Sequence, residues 1–198
     1  MITILDYGAG NLASLEGALG RLGLPFQRAA TPAEDAGGTL ILPGVGHFGA
    51  AKAALRASGW WAALPELAQA RPLLGICLGL QLLAEGSEEA GEPGLGLLAG
   101  TARKLGPGVK VPHMGWSRVR AAAPHPSLAG ADGAWLYFVH SYALDLTAET
   151  LLAAEHGRPF AAAAARGRVL GFQPHPEKSG GDGLRLLGQA LARLQERP

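Results

Sequence analysis

Three short apolar runs, Ile2–Leu5, Thr39–Leu42 and Pro72–Ile76, each end in a polar or glycine-rich turn, with helix-like spacing after it. Runs without polar alternation fit strands buried on both faces, and helices between them supply the crossovers that parallel pairing needs. After the first run, the turn Asp6-Tyr7-Gly8-Ala9-Gly10-Asn11 leads to Leu12, Leu15, Leu19 and Leu22 on one helical face, with Asn11 placed to cap. Thr31-Pro-Ala-Glu34 has the spacing of a capping box with proline at the first helical position. The second run passes through Pro43-Gly44-Val45-Gly46 into a helix expected over Phe48–Arg56, and the third leads into Leu78–Glu85 at helical spacing.

Beyond about Leu95 the pattern turns to strands with short connections: Leu97–Leu105, Gly115–Arg120, Trp135–Leu144, Glu149–Glu155, Pro159–Ala165 and Arg168–Phe172. Leu184, Leu187, Leu191 and Leu194 then mark a closing amphipathic helix. The expected fold is therefore α/β: a central, mainly parallel sheet flanked by helices, with antiparallel strands added in the second half. A length of 198 residues with no linker predicts a single domain over 1–198.

Composition removes several classes of function. A hydrophobic fraction of 48% against 17% charged residues excludes a disordered chain. A net charge of +1 leaves no basic footprint for nucleic acid. Charges, glycines or prolines interrupt every apolar stretch short of a membrane span, and the N-terminus lacks a basic, apolar leader. A lone cysteine predicts a reducing, cytoplasmic setting.

The sharpest local signal is Leu73-Leu74-Gly75-Ile76-Cys77-Leu78-Gly79-Leu80-Gln81. A nucleophile flanked by glycines between a strand and a helix is the elbow arrangement. The tight turn strains the nucleophile, glycines let backbone approach closely, and the helix offers N–H groups to a developing anion. A buried structural thiol is the bland alternative for a single cysteine.

A thiol nucleophile needs a base, and Gly171-Phe172-Gln173-Pro174-His175-Pro176-Glu177-Lys178 supplies one. Prolines after Gln173 and His175 favour extended backbone, which brings His175 and Glu177 to one face. Glu177 can then hold the imidazole tautomer while the other ring nitrogen serves the thiol. Free N–H groups of Gly44-Val45-Gly46 at a strand end suit a phosphate or an oxyanion, and no Gly-Lys-Ser/Thr follows to make a P-loop. His47, His113 and His140 with Cys77 lack metal-ligand spacing, so neither a metal nor a cofactor is expected.

Gly-Ile-Cys77-Leu-Gly-Leu-Gln81 followed by Pro-His175-Pro-Glu177-Lys resembles the class I (triad) glutamine amidotransferases. The resemblance extends over nearly the whole chain to their subfamily of imidazole glycerol phosphate synthase glutaminase subunits. It runs through Asp6–Asn11, Pro43–Gly49, Pro112-His-Met-Gly-Trp116, Tyr137–Tyr142 and His175–Ser179. It implies glutamine as substrate, Cys77 as nucleophile, His175 as base and Glu177 as its support. The backbone of Leu78 and of Val45 or Gly46 would bind the oxyanion, and Gln81, Ser141 and Tyr142 would contact glutamine. It further implies ammonia delivery, in histidine biosynthesis, to a (β/α)₈-barrel cyclase partner docked on Tyr7, Gly10, Asn11 and Trp116.

Three positions depart from the subfamily's pattern: Ser117 replaces a usual Asn, Pro174 a usual aromatic, and Leu80 a common Met. None removes a reacting group. The rival readings are a glutaminase of another pathway such as vitamin B6 synthesis, a non-catalytic regulatory module, or a thiol esterase or peptidase.

Overall fold

The computed structural model describes residues 1–196; positions 197 and 198 of the expected domain lie outside the described residues. The first half runs β1 (Ile2–Leu5), α1 (Leu12–Arg21), β2 (Phe26–Ala29), β3 (Thr39–Gly44), α2 (Phe48–Ala57), α3 (Trp60–Ala70), β4 (Leu73–Cys77) and α4 (Leu78–Leu83). The second half is β-rich: β5 (Gly86–Ser87), β6 (Glu92–Pro93), β7 (Thr101–Lys104), β8 (His113–Arg118), β9 (Arg120–Ala121), β10 (Trp135–His140) and β11 (Tyr142–Leu144). It ends with β12 (Thr150–His156), β13 (Arg158–Arg166), β14 (Val169–Phe172) and α5 (Gly180–Gln195).

Eight strands form one sheet in the order β2-β1-β3-β4-β14-β13-β12-β9. Pairing is parallel from β2 to β14 and antiparallel from β14 to β9, the division expected from the pattern change along the chain. Residues alternate between the two faces: Ile41 joins the side covered by α1 and α5, whereas Leu40 and Leu42 join the side covered by α2, α3 and α4. Both faces are apolar, which is why these strands carry no polar alternation. Asn11 caps α1 by accepting from the Ser14 amide, as its position predicts.

Local outcomes differ from expectation in several places. The capping-box segment forms only a 3₁₀ turn over Pro32–Glu34; Glu34 bonds the Ala30 amide and Thr31 hydroxyl, but no amphipathic run follows to extend a helix. Helix α3 and strand β2 have no counterpart in the sequence reading; α3 tolerates Pro65 while burying Trp60 and Leu64. Within Leu97–Leu105 only Thr101–Lys104 is strand. The strand expected over Trp135–Leu144 breaks at Ser141, because β10 pairs with β8 while β11 pairs with β7 in a separate sheet.

Candidate active site

Strand register sets the site. Gly44 at the end of β3 lies opposite Cys77 at the end of β4, and Phe172 of β14 lies opposite Ile76. The chain leaving β14 therefore carries Gln173 and His175 past Cys77, and the chain leaving β3 carries Val45 and Gly46 past its other side. Ligands gather at the carboxyl ends of parallel strands for this topological reason.

Cys77 has φ 55°, the one positive φ at a non-glycine among the described residues. Its neighbours allow no side chain: a Cβ at Gly79 would stand 1.9 Å from the Leu42 carbonyl oxygen, and one at Gly75 would stand 2.8 Å from the Leu80 amide nitrogen. The strained turn is thus held by close backbone packing on both sides, with the Leu78 amide at the first position of α4. The sulfur lies 3.8 Å from the Val139 carbonyl oxygen and 3.7 Å from Gln173 Nε2.

His175 Nδ1 and Glu177 Oε1 are 2.7 Å apart with both side chains buried. Pro176 opens the 3₁₀ turn that brings the two to one side. The loop is tied down by His175 N donating to Tyr137 O at 2.8 Å and by Ser179 Oγ donating to His175 O at 2.6 Å. Burial works against a charged ring, yet the neighbouring Cys77 and the Glu177 carboxylate outweigh it and raise the His175 pKa to about 10. Cys77 acts on the ring without an aligned bond, for Nε2 is buried and unpartnered.

A cavity of about 320 Å³ opens over the sulfur. Its wall includes Val45 and Gly46 on one side and Leu78 and Gln81 beneath, with Ser141 and Tyr142 opposite. Seven of the expected nucleophile, oxyanion and glutamine-contact positions thus meet in one space, with His175 and Glu177 behind the sulfur. Val45 and Gly46 lie between β3 and α2, outside both, and Gly46 has φ 93°.

The expected docking residues separate. Trp116 is 52% exposed and packs edge-to-face on Tyr137, while Gly10 and Asn11 are half-buried. Tyr7 has a buried ring, and its hydroxyl donates to Pro43 O at 2.7 Å, so it braces the glycine turn from inside. Burial first, and the nearby Cys77 second, hold its pKa far above the ordinary value, keeping it a donor.

Two site residues escape the sequence reading. Glu89 lines the cavity and caps α2 by accepting from the Phe48 amide at 2.7 Å. Nothing in its local sequence marks it. Gln173 is the other; it sits inside a motif already singled out, two residues before His175.

A nucleophile elbow over a parallel sheet, with a histidine–carboxylate pair and a small cavity beside it, defines a class of proteins built for covalent catalysis by an activated thiol. The sequence pattern of the family "Glutamine amidotransferase class-I" matches residues 3–192, and the chain belongs to that family. Within it, the chain is 48% identical to the imidazole glycerol phosphate synthase subunit HisH of Desulfitobacterium hafniense, covering 94% of this chain and 92% of that one. It is 47% identical to the HisH subunit of Moorella thermoacetica (94% and 91% covered) and 44% to that of Deinococcus radiodurans (94% and 90%). Among solved structures, a glutamine amidotransferase aligns with TM-score 0.76 at 20% identity over 97% of this chain and 98% of the other. PurLQS from Thermotoga maritima aligns with TM-score 0.77 at 20% identity over 98% of each chain. At that identity these two bear on the fold alone.

Proposed function

We propose that this chain is the glutaminase subunit of imidazole glycerol phosphate synthase, releasing ammonia from glutamine for a cyclase subunit in histidine biosynthesis. The observation that carries the reading is the 2.7 Å His175–Glu177 pair set behind a strained Cys77, in a chain 44–48% identical to HisH subunits over 94% of its length. It acts as one domain, and a reducing cytoplasm suits an enzyme that must keep its thiol free.

Glutamine enters the cavity with its ammonium toward Glu89 and its carboxamide against Cys77; Gln81 and the Ser141–Tyr142 backbone hold the rest. The sulfur attacks the carboxamide carbon. The Leu78 amide and one amide from Val45 or Gly46 receive the oxyanion; losing one such donor costs about 10²–10³ in rate. A His175 that is protonated at neutral pH gives its proton to the leaving ammonia. The now neutral ring takes a proton from water, which attacks the thioester and frees glutamate. Glu177 stabilises the imidazolium at both stages.

The partner is a cyclase of (β/α)₈ form, and the docking face is the exposed side of the β8–β10 ribbon. Met114, Trp116 and Trp135 stand there at 64%, 52% and 52% exposure, an aromatic-rich patch of the kind interfaces use. The same ribbon carries Val139, whose carbonyl approaches the sulfur, so docking borders the reacting atoms. The test is glutamate release by the chain alone, by the complex, and by the complex with its nucleotide substrate. Absence of glutamine turnover in the liganded complex rejects the reading.

A further inference from the structure

Around the nucleophile, the hydrogen bonds form a chain with a definite direction. A backbone carbonyl can only accept, so Gln81 Nε2, 2.9 Å from Tyr142 O, must be the nitrogen end of that amide. The second hydrogen of the same nitrogen points to Gln173 Oε1 at 3.1 Å. Gln173 must then present its own Nε2 to the Cys77 sulfur, which lies 3.7 Å away. Were the Gln173 amide reversed, a carbonyl oxygen would face the sulfur and two oxygens or two N–H groups would be opposed elsewhere.

We propose that Gln173 is a catalytic residue that donates an N–H to the Cys77 sulfur, its polarity locked by Gln81 and the Tyr142 carbonyl. The proposal rests on Cys77 being the nucleophile of the reading above. Donation to sulfur favours the thiolate, which is the attacking form, over the thiol. Gln173 is fully buried, so water does not replace the bond if it is lost.

The anchor of the chain is itself braced. His140 Nδ1 lies 2.9 Å from the same Tyr142 oxygen and must donate to it. Its Nε2 then accepts from His113 Nδ1 at 3.2 Å, and His113 Nε2 accepts from the Ser117 hydroxyl at 2.9 Å. This assignment needs neutral rings, and burial, with each ring's histidine neighbours, holds His140 near 3 and His113 near 4. The Tyr142 carbonyl is therefore fixed by two donors from different elements, and it fixes the amides in turn.

Cys77 is the single cysteine, so alkylation by iodoacetamide, a neutral reagent, reports on it alone. The other ionisable groups facing the sulfur are His175 on the loop after β14 and Tyr7 on the turn after β1, with Glu89 and His140 on the cavity wall. None is altered in the variants. Gln173→Met should be alkylated about threefold to tenfold more slowly at neutral pH, its rate-versus-pH curve displaced upward to the same plateau. Gln173→Glu, which sets a carboxylate against the sulfur, should be displaced further. In the complex with the cyclase, Gln173→Met should lose kcat about tenfold while KM stays within about twofold. A purely structural role would move neither the alkylation curve nor the kcat-to-KM split. A Gln173→Met protein that keeps its circular dichroism and melting temperature, yet alkylates on the wild-type curve, overturns the proposal. Gln81→Met, which unlocks Gln173, should shift the curve in the same direction by less; superposition there overturns it too, should the position 173 variants not fold. If the displacement appears but the wild-type complex turns over no glutamine, the functional reading fails and the Gln173 assignment stands.

Discussion

The hydroxyl of Tyr7 donates to the carbonyl of Pro43 across 2.7 Å, joining the turn after β1 to the end of β3. Beyond Gly44, Val45 and Gly46 line the cavity and form the proposed oxyanion turn. Gly44 is wedged against α4, where a Cβ would lie 2.8 Å from Gly79 N, so movement in the turn must occur at Val45 and Gly46. Tyr7 thus braces the proposed oxyanion turn. Tyr7→Phe removes a hydrogen bond worth about 1 kcal/mol and loosens that restraint. The ratio of glutamine turnover by the complex with and without partner ligand should fall about fivefold, through a rise in the unliganded rate, which steady-state assays of both forms would read. An unchanged ratio would show that the turn is held by something else.

Cys77→Ala should remove glutamine-dependent synthesis by about a thousandfold or more while sparing synthesis from added ammonium salt, because the second chemistry belongs to the partner. Comparing the two nitrogen sources in one assay separates a lost nucleophile from a lost complex. Persistence of glutamine-dependent turnover would mean Cys77 is not the nucleophile.

Most of this machinery is readable from the sequence because it is local. The elbow is nine consecutive residues, and His175 and Glu177 are two apart with prolines setting their backbone. What escaped depends on distance along the chain: Glu89 reaches the cavity from a loop, and the Gln81–Gln173 contact joins residues 92 apart. The bond of Tyr7 to Pro43 also joins distant segments, and an aromatic in a glycine-rich turn gives no sign of which way it points. The break at Ser141 was hidden for another reason. Trp135–Leu144 reads as one strand with only His140 and Ser141 interrupting its apolar residues, and the partners of its two halves, β8 and β7, divide it. The parallel strands were legible because burial on both faces leaves an imprint that no partner needs to explain.

The His175–Glu177 pair carries a pH signature. The histidine's pKa rises from 6.5 to about 10 on folding, so the folded state holds its proton more tightly than the unfolded chain. That contribution to stability is complete below about pH 6.5 and disappears as pH rises through about 10. Melting curves of wild type and His175→Gln should therefore differ most near pH 6 and converge toward about pH 10. A gap that widens with pH would reverse the sign and show the ring to be neutral in the fold.

Trp116→Ala should weaken association with the cyclase about tenfold to thirtyfold, since exposed tryptophans at the centre of an interface often act as hot spots. The free chain should melt normally, because the side chain is half exposed. Isothermal titration against the cyclase gives the number, and wild-type affinity would move the docking face away from the β8–β10 ribbon.

Gly79 and Gly17 should respond oppositely to alanine, and the contrast isolates what the elbow demands. Gly17 lies on the exposed side of α1, where a Cβ would meet only the tip of Arg21 at 3.7 Å. Alanine there stiffens the unfolded chain and favours helix, adding about 0.5–1 kcal/mol, or about 1–4 °C of melting temperature for a chain this size. At Gly79 the Cβ would lie 1.9 Å from the Leu42 carbonyl oxygen, an overlap only backbone movement can relieve. The end of β3 or the start of α4 must then shift, and with it the Leu78 amide beside Cys77. Gly79→Ala should lose about 1–3 kcal/mol and nearly all glutamine turnover, while Gly17→Ala keeps full activity. A Gly79→Ala protein with wild-type melting and turnover would show that the elbow does not need the close approach drawn here.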